Sequence, residues 1–185
     1  MSRFLEFINN IKMLDFPEYR QPDGDSCGAT AMHMILSYYG EDENLEVVEK
    51  IAGTNHEYGT PISGIKKVVE KYKIKYNEGT FTIDDLKKNV DAGFPTLLML
   101  QAWSIKDNVD WKNEWDQGHY VVVRGYSNKN IYFADPINIK IDYLSYDDLM
   151  ERWHGWDDNN KKIYNWGIVF MKTGNYKFDA TEEMD

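Results

Sequence analysis

Apolar residues recur at helical spacing through the first half of the chain. Ala31, Met34, Ile35 and Tyr38 share one face, Asp25 or Ser26 can cap the run, and Gly40 ends it. A second helix is predicted from Asn44 to Ala52, stopped by Gly53. Thr60-Pro61 reads as a cap followed by proline at the first helical position. Ile65, Val68, Val69 and Tyr72 then form an inward face. Thr82 and Asp85 have capping-box spacing, with Leu86 and Val90 inward and Gly93 beyond the end. After Gly93 the period changes. Pro95 to Gln101, His119 to Tyr126 and Ile131 to Asp135 are apolar runs of strand length, and Ser127 to Asn130 joins the last two as a hairpin loop. Ile139 to Tyr143 predicts a further strand, Ser145 with Asp148 a capped short helix reaching Trp153, and Tyr164 to Lys172 a final strand. Helices followed by an antiparallel sheet give an α+β class.

Composition narrows the picture. The 185 residues suit one domain, expected over 1–178, with 179–185 as an acidic, frayed tail. The hydrophobic fraction of 42% and aromatic fraction of 15% support a folded globule. A net charge of −10 without a Lys/Arg-rich run argues against nucleic acid as a partner. Cys27 is the single cysteine, which excludes an intrachain disulfide framework and a cysteine zinc cluster. The first residues carry an early glutamate, Glu6, and no long apolar core, unlike a secretory signal. No stretch approaches the ~20 apolar residues of a membrane span. The expectation is a soluble, cytoplasmic protein that needs no cofactor and no metal.

Four positions carry chemistry. Cys27 opens the first helix, where backbone N–H groups favour a negative charge, and a thiolate is a nucleophile. A free cysteine is ordinarily a small buried hydrophobe; the helix start, the following Gly28 and the downstream partners change that reading. His119 begins an otherwise apolar strand, and Asp135 ends the next one before Pro136. Pairing across a loop centred near 128–129 brings position 119 level with 135–138. The aspartate can then hold the imidazole tautomer. Gln21 lies six residues before Cys27 in a Pro/Gly/Asp loop, where its amide can point at a developing oxyanion.

These residues resemble a papain-like cysteine peptidase of the C39, bacteriocin-processing type, in its stand-alone C39-like form. The likeness is carried by Gln21 and Cys27-Gly28-Ala29, by Leu36-Ser37-Tyr38-Tyr39-Gly40, by Gly118-His119-Tyr120-Val121-Val122-Val123-Arg124-Gly125-Tyr126, and by Ala134-Asp135-Pro136. It spans roughly 16–172. The resemblance implies a papain-like fold, a helical N-terminal half packed on an antiparallel sheet. It also implies Cys27 as nucleophile, His119 as base and acid, Asp135 as orienter and Gln21 as oxyanion donor. The segment from Trp103 to Gln117 looks like a chain-specific insertion.

That segment can form a lid or recognition loop, with Trp103 and Trp115 contacting substrate, or a surface loop whose tryptophans pack on the body. Its carboxylates do not match a calcium-loop spacing. His33 is expected to be structural, and His56-Glu57 and Trp153 to Asp157 to be surface turns. The expected function is hydrolysis of a peptide or small amide through a Cys27 acyl-enzyme. An acyltransferase on the same residues and a non-catalytic binding module of the same fold are the alternatives. Water or an amine as acceptor leaves the same acyl-enzyme, so the sequence does not separate the first two.

Overall fold

A computed structural model describes residues 11–172. The expectations for the first ten residues and for the 179–185 tail fall outside the described residues. Nine strands and five helices follow in the order β1 (Lys12–Met13), α1 (Cys27–Tyr38), α2 (Leu45–Ala52), α3 (Ile62–Lys71), β2 (Lys75–Thr80), α4 (Ile83–Asp91), β3 (Thr96–Gln101), β4 (Gly118–Tyr126), β5 (Asn130–Ala134), β6 (Ile141–Ser145), α5 (Tyr146–Arg152), β7 (His154–Trp156), β8 (Lys162–Tyr164) and β9 (Trp166–Met171) among the described residues. The main sheet runs β2-β9-β3-β4-β5-β6, and every pairing in it is antiparallel. β1 pairs with the end of β4 that β3 leaves free.

The sheet is covered on both faces at β3, β4, β5 and β9, which is why those strands read as largely apolar runs. Leu97, Tyr120, Val122, Ile168 and Phe170 join α1, α2 and α3 in one core cluster. Their neighbours Leu98, Val121, Val123 and Val169 face the other way, onto Leu86 and Val90 of α4 and Leu149 of α5. Successive residues point to opposite faces, so the strands feed two cores at once. The α+β class holds; the helix at 83–91 belongs to the second layer, not to the helical half before it.

Local expectations meet the structure in detail. Gly53 and Gly93 end their helices with φ of 68° and 80°. The Thr82–Asp85 capping box is present, and the Ser145 hydroxyl accepts from the Asp148 N–H. Pro61 stands at the N-cap of α3, one place earlier than expected, because Asp158 takes over the capping. Its carboxylate oxygens accept from Ile62 N at 2.7 Å and Ser63 N at 2.8 Å. Ser26 occupies the N-cap of α1, but its hydroxyl goes to Glu49 Oε1 at 2.6 Å. Thr60 Oγ1 accepts from Ala29 N instead, at 3.1 Å. Four strands escaped the sequence pattern: β1, β2, β7 and β8. β2 is polar and exposed at most positions, and it is held chiefly by its pairing with β9. The segment expected as surface turns at 153–157 is half core: Trp153 is 1% exposed and gives its indole N–H to Trp166 O, and His154 is buried in the β7–β8 hairpin.

Candidate active site

Helix α1 sets Cys27 at its first turn, and α1 packs on the β4 face that carries Tyr120 and Val122. Close contact there depends on Gly28. A Cβ at that position would lie 2.6 Å from Thr60 Cβ and 2.9 Å from the Tyr120 ring. No other residue fits without moving the helix start, and the helix start holds the thiol. β4 delivers His119 from the adjacent position to Tyr120.

The hairpin register brings the third group. Val122 pairs with Ala134, so continuing the ladder puts position 119 about level with 137, and Asp135 leaves the end of β5 beside it. His119 Nε2 lies 2.6 Å from Asp135 Oδ1, both side chains being buried. Cys27 and His119 line the same cleft, and the neighbouring thiol acts on the charge of the ring. The imidazole therefore has the carboxylate as its hydrogen-bond partner and the thiol as a second influence on its charge. Burial alone would lower its pKa, but the Asp135 hydrogen bond and the neighbouring Cys27 outweigh burial and push it up to about 9. The arrangement favours an imidazolium beside a sulfur nucleophile.

Gln21 is buried, and its backbone N–H donates to Pro136 O at 2.7 Å, tying the loop before α1 to the residue after Asp135. Its side-chain amide donates to Asp23 O, and its Oε1 is buried without a partner among the described residues. One amide hydrogen remains uncommitted by that bond.

A cleft of about 1130 Å³ opens over the thiol, lined by Cys27, Met99, Trp115, His119, Tyr120 and Trp156 among others. Trp115 packs against Trp156 at 5.1 Å between ring centroids and edge-on against Tyr164 at 5.5 Å. The two candidate tryptophans thus part company. Trp115 is on the cleft wall; Trp103 is not among the lining residues, and its indole Nε1–H donates to Asp135 Oδ2 at 2.9 Å. Met99 left no signal in the sequence, and Thr60 and Trp156 were read there only as a helix cap and as part of a surface turn. Trp156 carried a signal, an aromatic in a Trp-His-Gly-Trp run, but its partner Trp115 is 41 positions away and the two meet only in the fold, where the Trp156 indole N–H donates to Trp115 O at 3.1 Å. His33 stacks on Tyr19, with ring centroids 4.6 Å apart, and takes no part in the site.

The Peptidase_C39 like family matches residues 13–162. The chain belongs to that family, whose members are cysteine peptidases. The lactococcin-A transport/processing ATP-binding protein LcnC of Lactococcus lactis subsp. lactis is 30% identical over 138 residues, 73% of this chain and 17% of the relative. The C39-like chain therefore spans about a sixth of that relative's length. Among solved structures, a C39-like peptidase from Bacillus anthracis shares the fold with a TM-score of 0.67 at 17% identity, covering 89% of this chain and 99% of the other. A double glycine motif protease from an AMS/PCAT transporter, solved with its leader peptide, has a TM-score of 0.63 at 19% identity and covers 87% and 94%. Among the described residues of this C39-like chain, no helix is long and apolar enough to cross a membrane.

Proposed function

We propose that this C39-like chain hydrolyses peptide bonds through an acyl-enzyme on Cys27. The observation that carries the reading is the His119 ring, 2.6 Å from Asp135 and lining one cleft with the Cys27 thiol. In this scheme the Cys27 thiolate attacks the scissile carbonyl carbon. The developing oxyanion takes the Cys27 backbone N–H, which no intrahelical carbonyl can use in the first turn, and the free amide hydrogen of Gln21. The His119 imidazolium gives its proton to the leaving amine. Neutral His119 then takes a proton from water, which attacks the thioester and releases the acid. Asp135 keeps the ring oriented and remains a carboxylate throughout.

The substrate is a peptide lying in the cleft between Gly24 and Trp156, and residues 1–178 act as one catalytic unit. A leader peptide carrying a double glycine is the first substrate to test, because a structural neighbour binds a leader peptide and bears that motif in its name. A working free thiol suits a reducing compartment, and we place the protein in the cytoplasm. The test is incubation with double-glycine leader peptides, read by mass spectrometry. The expected result is cleavage by the wild type, a trapped acyl adduct at residue 27, and no cleavage by Cys27→Ala. Cleavage retained in Cys27→Ala overturns the reading.

A further inference from the structure

We propose that Trp103 is a positioning residue that acts through Asp135, and not a substrate contact. The proposal rests on the peptidase reading above for its kinetic arm. Asp135 sits at the end of β5 with a terminal torsion that is intrinsically broad and nearly two-fold, so either oxygen could face His119. Three donors decide the matter. Oδ1 receives His119 Nε2 at 2.6 Å and the Ile137 N–H at 2.9 Å; Oδ2 receives the Trp103 indole N–H at 2.9 Å. An indole nitrogen can only donate, so the oxygen facing it must be an acceptor. The indole thereby fixes which carboxylate oxygen meets the imidazole and in which plane.

The backbone at Trp103 is shaped for this contact. Its φ is 60°, in the left-handed region that a bulky side chain rarely adopts. The residue directly follows a closed stem. Ala102 N donates to Gln117 O at 3.0 Å, Gln117 N to Gln101 Oε1 at 2.9 Å, and Gln101 Nε2 to His154 O at 3.1 Å. The stem sets the left-handed turn, and the turn drops the ring toward Leu100, Ala102, Val121, Phe133 and Asp135, which line a small pocket with it. Trp103 is still 49% exposed, so burial alone does not explain its placement; the N–H to Asp135 does.

Trp103→Phe keeps a ring and removes the donor. With a cleaved peptide, kcat is expected to fall about 10- to 100-fold, the loss typical of one hydrogen bond to a charged group, while KM stays within about twofold. In an Asp135→Asn background the same change should cost nothing further, because residues acting through one contact are not additive. A risen KM with intact kcat would make Trp103 a substrate contact, and additive losses would make its role merely structural. Either outcome overturns the proposal. A second readout needs no turnover. The deshielded proton of the His119–Asp135 hydrogen bond should shift or vanish in Trp103→Phe and persist in Trp111→Phe, a change elsewhere in the same loop. An unmoved resonance in Trp103→Phe overturns the proposal even if the protein cleaves no peptide. Turnover surviving Cys27→Ala would instead sink the peptidase reading and leave the proton shift to report on Trp103.

Discussion

At the scale of residues, the site depends on one side chain that is absent and one that is charged. Gly28 gives α1 its approach to Thr60 and Tyr120, so Gly28→Ala should push the helix start away from β4. Overpacking of this kind destabilises by about 1–3 kcal/mol. Turnover should fall by more than the lost folded fraction explains, since Cys27 moves with the helix. Urea unfolding and peptide cleavage measured on one sample decide it, and a proportional loss of both would deny the link. His119 sets the pH behaviour. Burial opposes its charge, while Asp135 and Cys27 favour it, and the folded pKa of about 9 lies above the ordinary 6.5. The resulting stability is fully present below about 6.5 and is lost as pH rises through about 9. By linkage it is of the order of 3 kcal/mol. Unfolding free energy should therefore decline between those limits in the wild type and lose that decline in His119→Ala. A His119 NMR titration should have its midpoint well above the ordinary histidine value and move down in Cys27→Ala, which removes one of the supports. The positions of these groups were legible in the sequence because each is tied to an element boundary: a helix start, a strand start and a strand end. The Trp103 contact was not, because a left-handed turn 32 residues away from Asp135 leaves no periodic trace.

At the scale of elements, what could be read was whatever a local rule sets. Gly53, Gly93, the Thr82–Asp85 box and the Ser145 cap all act within a few residues, and their helices were predicted within a residue or two. What could not be read is held from a distance. β2 is a largely exposed polar strand that exists through its partner β9, and the one-residue difference at the start of α3 comes where Asp158 reaches back across the fold. Asp158 also belongs to the cleft wall, so a helix cap and a cleft are built from one carboxylate. Asp158→Ala should cost about 0.5–2 kcal/mol of stability, as lost caps do. Hydrogen exchange should show the opening concentrated in the first turn of α3. Unchanged protection at Ile62 and Ser63 would mean that Pro61 and Thr60 set the helix start by themselves.

At the scale of the whole molecule, the excess of acid is unevenly useful. Over the entire chain the charge is −10, and five carboxylate residues line the cleft: Asp25, Glu57, Asp116, Asp157 and Asp158. Asp25 is partly answered by His56, whose Nδ1 lies 3.0 Å from it; among the described residues no lysine or arginine lines the cleft, although Lys162 Nζ lies over the Trp115 ring at 4.0 Å. Potentials from one sign of charge in a cleft add, and they act on whatever approaches the thiol. Two alkylating reagents of nearly equal size isolate this effect. Iodoacetamide is neutral and iodoacetate is an anion, while both are attacked by the same sulfur. Cys27 should react more slowly with iodoacetate, and the ratio should narrow as salt rises, because exposed charges are screened over about 10 Å at 0.1 M ionic strength. Imidazolium at His119 works in the opposite sense, drawing an anion toward the sulfur, so the measured ratio weighs one buried cation against the acids of the wall. Glu57→Gln with Asp116→Asn removes two exposed carboxylates and leaves His119 in place. The double variant should speed iodoacetate while leaving iodoacetamide nearly unchanged. Equal changes with both reagents would show that the substitutions altered the thiol itself, and no change with either would show that the wall acids are too well solvated to be felt at Cys27.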